Sequence, residues 1–173
     1  MAAANVHSGE ISARVEAAWW FDELRVPVYR YLMCNGLGSA DAEELVQETF
    51  LRLYQHLARQ GSRPNLRGWI FEVARNAARD RRKSARWQRT VPLDPAAGVA
   101  DPGAGPEDQA IREERARRLG AAIGKLSTQQ RECILLRIAG LRYREIAEVL
   151  GINVASAGEL VARATARLSE DIP

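Results

Sequence analysis

The chain has 173 residues, 46% hydrophobic and 27% charged, with a formal net charge of +3. That composition is ordinary for a globular protein of one domain or two small ones, and disorder is not the default. No apolar run approaches the roughly 18 residues of a membrane span, and Met1 to Glu10 lacks the basic start and apolar stretch of a signal peptide, so a cytoplasmic protein without membrane insertion is expected. Cys34 and Cys133 stand far apart with only His7 and His56 for company. Neither a metal-ligand spacing nor a disulfide framework is present, so two core thiols and no cofactor are expected.

Hydrophobic periodicity indicates helices throughout, with no convincing period-two strand. The first helix is expected from about Ser12 to Cys34, ending at Asn35-Gly36, with Trp19, Trp20, Leu24, Val28, Tyr31 and Leu32 in the core and Pro27 as a break or kink. The second opens at Asp41 with Glu44 three residues on, a capping-box spacing, and carries Val46, Phe50, Leu53 and Leu57 on one face before Gly61 stops it. Its other face shows Glu44, Gln47 and Glu48.

A third helix is expected from an N-cap at Asn65 to about Trp87. From Gly61 to Arg89 there are nine basic residues against two acids, so the positive charge is concentrated here. Arg75, Arg79, Arg82 and Arg86 share one face, while Ile70, Val73, Ala74, Ala77 and Ala78 share another. Flanked by Trp69, Phe71 and Trp87, the stripe suits a polyanion with exposed bases, because guanidinium groups pair with phosphates and aromatic rings stack on unpaired bases.

Between Arg89 and Asp108 the sequence turns to Pro, Gly and Ala, too poor in large apolar residues to order itself, which marks a linker. The expected organisation is a first domain over 1–88, a linker over 89–107 and a second domain over 108–173. The second domain should hold a charged helix from about Glu107 to Leu126, a capping box at Ser127 with Gln130, and a helix through Ile134, Leu135 and Ile138 to Gly140. Tyr143 to Leu150, the turn at Gly151-Ile152-Asn153 and a last helix from about Ala155 to Leu168 form a helix-turn-helix candidate. The fold class is all-α: two small helical domains joined by a flexible linker.

The segment Asp41-Ala-Glu-Glu-Leu-Val-Gln-Glu-Thr-Phe-Leu-Arg-Leu53, followed by Arg63-Pro-Asn-Leu-Arg-Gly-Trp-Ile-Phe-Glu-Val-Ala-Arg-Asn-Ala-Ala-Arg-Asp-Arg-Arg82, resembles region two of extracytoplasmic-function (ECF) sigma factors of the sigma-70 family. Leu126-Ser-Thr-Gln-Gln-Arg-Glu-Cys-Ile-Leu-Leu-Arg137 and Gly140-Leu-Arg-Tyr-Arg-Glu-Ile-Ala-Glu-Val-Leu-Gly-Ile152 are similar to their region four. The resemblance implies a dissociable subunit of bacterial core RNA polymerase that selects promoter DNA and nucleates its melting, regulated by an anti-sigma factor. It also implies that Glu44, Gln47 and Glu48 dock on the polymerase. Asn76, Arg79, Arg82 and Lys83 would meet the near promoter element, with Arg63 in the loop before the helix and Arg75 and Arg86 on phosphates. That loop, about Gln60 to Leu66, would help hold a flipped base, turning the cost of base extrusion into recognition.

The last helix departs from the family pattern. Gly158 and Glu159 stand where basic or polar residues are usual, and from Ser127 to Pro173 six basic residues meet six acidic ones. A far promoter element would be read weakly through Arg142, Arg144, Ser156 and Arg163; alternatively, Leu160 and its neighbours would offer an apolar surface to a protein. No nucleophile, base and orienter are brought together and no phosphate-binding loop is present, so an enzyme is not expected. Two other classes compete: a stand-alone helix-turn-helix regulator, which should carry its charge on the recognition helix, and a sigma-like interaction protein that binds polymerase or an anti-sigma factor.

Overall fold

The computed structural model describes residues 2–59, 61, 64–83 and 106–171. They form seven helices: α1 (Ala2–Cys34), α2 (Ser39–Ala58), α3 (Leu66–Lys83), α4 (Pro106–Gly124), α5 (Thr128–Ile138), α6 (Tyr143–Leu150) and α7 (Val154–Asp171). There is no strand among the described residues, as the periodicity requires. The expected linker lies largely outside them, although Pro106 and Glu107 open α4 and do not end the linker. Proline fits a first helical position because its missing N–H would have no partner there.

Helix α1 is longer than the sequence suggests and runs through Pro27 without a break. Leu24, Val28, Tyr31 and Leu32 are all buried, and this packing outweighs the hydrogen bond that proline removes. The chain then leaves the helix through a Schellman turn. Leu37 N–H reaches the Leu32 carbonyl at 3.3 Å, and Gly36 N–H reaches Met33 at 2.8 Å. Gly36 has φ +88°, a left-handed conformation that glycine adopts without strain. Trp19, expected in the core, is 53% exposed. One residue is 100° of helix rotation, so Trp20 takes the inward position and meets the Trp19 ring edge-on at 4.8 Å.

Helix α2 starts at Ser39, two residues before the expected Asp41, with Gly38 as an N-cap that makes no side-chain bond. Asp41 is instead paired with Arg81 at 2.5 Å, so its carboxylate is not capping. Val46, Phe50 and Leu53 are buried as the pattern requires. Helix α3 does begin after Asn65, whose Oδ1 accepts from Gly68 N–H at 2.8 Å. A Cβ on Gly68 would come within 2.2 Å of the Asn65 side chain, so this cap needs glycine there. Ile70, Ala74, Ala77 and Ala78 pack inward, with Phe71 fully buried and edge-on to Tyr31 at 5.6 Å.

In the second half, Ser127 and Gln130 form the expected capping box, with reciprocal bonds of 3.2 and 3.0 Å. Helices α6 and α7 meet at the Gly151 turn (φ +68°), where Ile152 N–H returns to the Ala147 carbonyl at 3.0 Å. Asn153 caps α7 by accepting from Ser156 N–H at 2.7 Å. Ile138, the last residue of α5, is 70% exposed. Ala157, Val161 and Ala164 bury one face of α7, and the buried residues of both halves form one continuous apolar cluster.

Both cysteines are buried, as expected. Burial, followed by the Glu132 charge, pushes the Cys133 thiol up to about 11, and burial also raises Cys34. Phe71→Ala should cost about 3–5 kcal/mol in urea unfolding, because it removes a fully enclosed ring. Ile138→Ala should change stability by less than about 0.5 kcal/mol; equal effects would contradict the assigned core.

Candidate nucleic-acid and polymerase interfaces

The basic face of α3 is divided. Asn76, Arg79 and Lys83 are exposed, and among the described residues none is hydrogen-bonded or ion-paired through its side chain. Arg75 and Arg82 lie on the same stripe but turn inward. Arg75 Nε donates to Glu132 Oε1 at 2.9 Å, and Tyr31 Oη donates to the same oxygen at 3.3 Å. Glu132 comes from α5 in the other half of the chain and is only 9% exposed. Burial works against the Arg75 charge, but the Glu132 hydrogen bond and charge outweigh it, leaving the guanidinium above its ordinary pKa. Burial and then the Glu132 charge push the Tyr31 hydroxyl far up, so it stays a neutral donor. Arg82 donates to the Asn35 carbonyl at the end of α1, and burial lowers its pKa. Arg63 and Arg86 lie outside the described residues.

The aromatic part of the expectation changes with the structure. Phe71 has no exposed surface and cannot stack on a base, because its ring faces the core. Trp87 is outside the described residues. Trp69 is half-buried and stacks on His56 at 4.8 Å with planes 30° apart, while Arg67 sits 5.9 Å over the Trp20 ring. Beside Trp69 a cleft of about 130 Å³ is lined by Pro64, Asn65, Gly68, Glu72, Glu148 and Val149. Two of its walls therefore come from α6.

On α2, Glu44 and Gln47 are exposed and Glu48 is half-exposed. Arg81 Nη2 donates to Glu44 at 2.7 Å, and that bond and charge hold the Glu44 carboxyl below its ordinary pKa. Arg52 pairs with Glu48 at 2.5 Å. Gln47 borders a cleft of about 560 Å³ between α1 and α2, together with Phe21, Arg25, Tyr29, Glu43 and Val46.

Residues 21–88 match Sigma-70 region 2, and residues 116–168 match Sigma-70, region 4. The ECF RNA polymerase sigma factor SigL of Mycobacterium tuberculosis is 34% identical over 139 residues, 76% of this chain and 75% of SigL. The chain belongs to the ECF sigma factors. CnrH, an RNA polymerase sigma factor of Cupriavidus metallidurans, is 32% identical over 78% of this chain and 74% of its own. The ECF sigma factor BldN of Streptomyces coelicolor is 32% identical over 88% of this chain, which spans 59% of BldN's length. A solved structure of CnrH in complex with the cytosolic domain of CnrY superposes with a TM-score of 0.62 at 26% identity, covering 94% of this chain and 95% of that one. The sigma factor RpoE of Bartonella quintana, solved with the anti-sigma factor NepR, shares the fold with a TM-score of 0.61 at 24% identity, covering 86% of this chain and 92% of that one. No described helix of this sigma factor is long and apolar enough to cross a membrane.

The region-4 residues singled out from the sequence do not gather into one basic patch. Arg142 precedes α6, where its backbone N–H donates to Glu145 at 2.6 Å. Arg144 faces Glu148 at 3.4 Å, and Arg163 pairs with Glu159 at 3.1 Å, both as exposed i,i+4 pairs. Ser156 is half-buried beside the Asn153 cap. Leu160 is also half-buried, packed on the core cluster, which leaves little of it for an apolar docking face. Sequence reasoning missed Glu132, Tyr31, Asn35 and Asp41, which hold the basic helix in place. Gly158→Ala should stabilise the protein by about 1 kcal/mol, since a Cβ there meets nothing within 4 Å and the change removes backbone entropy. Urea unfolding checks this, and a loss of stability would show that α7 needs glycine at this position.

Proposed function

We propose that this ECF sigma factor uses the exposed part of the α3 stripe to engage the near promoter element and the outer face of α2 to dock on bacterial core RNA polymerase. The observation that carries the reading is the position of Asn76, Arg79 and Lys83. They are exposed on α3 inside the region-2 match, on the helix that also lines the Asn65–Trp69 cleft. Phosphates would be drawn to the cations, and an unstacked base would find Trp69 and the polar edge of Asn65 nearby. Promoter selection and strand separation are then one event, because a captured base cannot re-pair.

Glu44, Gln47 and Glu48 would provide the polymerase contact. Arg81 links Glu44 and Asp41 of α2 to α3, so docking and DNA engagement share one rigid unit. Region 4 would read a far element weakly through Arg142, Arg144, Ser156 and Arg163, since the charges from Ser127 to Pro173 cancel. An anti-sigma protein would be the partner class, as the resemblance to ECF sigma factors implies; the RpoE structure holds one. A first domain over 1–88, a linker that stops before Pro106 and a second domain that begins with α4, together with a cytoplasmic location and no enzymatic role, complete the reading.

Transcription from a promoter library with purified core polymerase tests the proposal. Wild-type protein should create defined start sites. Arg79→Ala with Lys83→Ala should reduce open-complex formation at least tenfold, as expected for two lost phosphate contacts, while core binding stays within about twofold. Glu48→Lys should weaken core binding and spare DNA contacts; loss of both activities in either variant would remove the split between the two faces.

A further inference from the structure

The last turn of α2 carries a histidine that the proposed contacts leave unused. The His56 imidazole stacks on the Trp69 indole of α3, with centroids 4.8 Å apart and planes 30° from parallel. Its carbonyl accepts from Gly61 N–H at 3.0 Å, so the chain turns back towards the ring as it leaves α2. A Cβ built on Gly61 would lie 2.6 Å from Nδ1 and Nε2 and closer still to Cε1. The Cε1 edge of the imidazole therefore fills the place of a side chain at Gly61, while a face of the ring lies on Trp69. His56 Nε2 is enclosed and has no hydrogen-bond partner among the described residues. No bond at that nitrogen steers the ring; packing against the indole and the glycine does.

We infer that His56 is a positioning residue for base capture: its ring is a wedge that holds the Trp69 indole and the entry to the loop before α3 in one arrangement. Trp69 lines the small cleft together with Pro64, Asn65, Gly68 and Glu72, so rotating the indole alters the wall that an unpaired base would meet. The backbone on that side is already fixed. Trp69 N–H donates to the Asn65 carbonyl at 3.0 Å, and Asn65 Oδ1 accepts from Gly68 N–H. What remains to be set is the torsion of the indole, and the stack on His56 sets it. Without the imidazole the indole gains rotamer freedom that binding a base would have to remove. His56 is not among the residues lining the cleft, so it acts through the indole and not on the base itself. Gly61 belongs to the same arrangement, because any side chain there presses on the imidazole and moves it against Trp69. Arg79 and Lys83 stand roughly 15 Å or more along α3 from Trp69, and their phosphate contacts do not depend on the wedge. The inference rests on the reading that the Asn65–Trp69 cleft takes an unstacked base, and its test separates the two.

Holoenzyme assembled with core polymerase and bound to a forked DNA, made from a promoter that the library yields, provides that test. The fork leaves the near element unpaired on one strand, and each of its nucleotides is replaced in turn by an abasic site. With the wild-type protein, one abasic position should weaken binding about tenfold, which marks the captured base. His56→Ala and Gly61→Ala should each shrink that penalty to within about twofold, because a mobile indole no longer distinguishes a base from its absence. Core binding by both variants should stay within about twofold of wild type, since neither residue lies on the docking face. Gly61→Ala keeps every wild-type side chain and serves if the His56 variant folds poorly. The double variant should lose no more than either single one, since both changes act through the same ring. A tenfold penalty kept in both variants would overturn the wedge, and so would additive losses in the double variant. Either of those results leaves base capture standing. The absence of a penalty at every position in the wild type would instead remove the base-capture reading, and the inference with it.

Discussion

A buried carboxylate holds this molecule in the arrangement described. Glu132 is removed from water, and a charge in that position is tolerated only with opposite charge and hydrogen bonds around it. Arg75 supplies the charge and Tyr31 a neutral hydroxyl, each from a different helix of the first half. Removing one member of such a group costs about 3–5 kcal/mol, because the other is left buried and unpaired. The energy is conditional, however, since separating the halves returns both charges to water together. The same pair therefore resists mutation strongly and domain opening weakly. Around it the effects propagate: the Cys133 thiol next to Glu132 is raised, and Arg82, pressed between Asn35 and the cluster, has its charge disfavoured by burial.

The distribution of charge follows from this contact. Helix α3 carries six cations against two acids, and residues 127–173 carry six against six, so the halves meet without a general attraction of opposite charge. One acid at a buried position achieves what a charged surface would not, because exposed pairs contribute at most about 1 kcal/mol and are screened by salt. The exposed pairs of region 4, Arg144 with Glu148 and Arg163 with Glu159, belong to that weak class.

Much of the fold is legible in the sequence because local signals decide it. The Ser127–Gln130 capping box, the Asn65 cap, the Gly36 and Gly151 turns and the apolar faces of α2, α3 and α7 each follow from residues within one or two turns of each other. Helix starts were less legible. At Asp41 the spacing to Glu44 suggested a capping box, yet Arg81, 40 residues away, claims the carboxylate. Phe71 was read as a stacking ring because it flanks the basic stripe, although its helical position sends it inward beside Ile70. The site was half legible: exposed cations on α3 follow from composition and period, while Arg75 and Arg82 required knowledge of what packs on them. Arg75 and Glu132 are 57 residues apart and Tyr31 and Glu132 are 101 apart, beyond the reach of any periodicity. One signal was available. Glu132 lies three and four residues before Leu135 and Leu136, so a helix places it on the same buried face.

On the proposed reading, that placement bears on how a protein whose last helix reads a far element weakly would still select promoters. A recognition helix normally needs its own cations to find DNA, whereas α7 offers Arg163 and Arg167 against Glu159, Glu170 and Asp171. If region 4 travels with region 2, as the continuous apolar cluster and the Glu132 contact imply, it reaches DNA at a local concentration set by the tether and not by its own charge. Its directed contacts then need only discriminate. The acid on α5 is part of one arrangement with the first half: without Arg75, Glu132 would keep the Tyr31 hydroxyl but lose its guanidinium partner. On the proposed reading, α7 would bind DNA poorly when alone, and the cations that α3 leaves exposed would compensate for that loss.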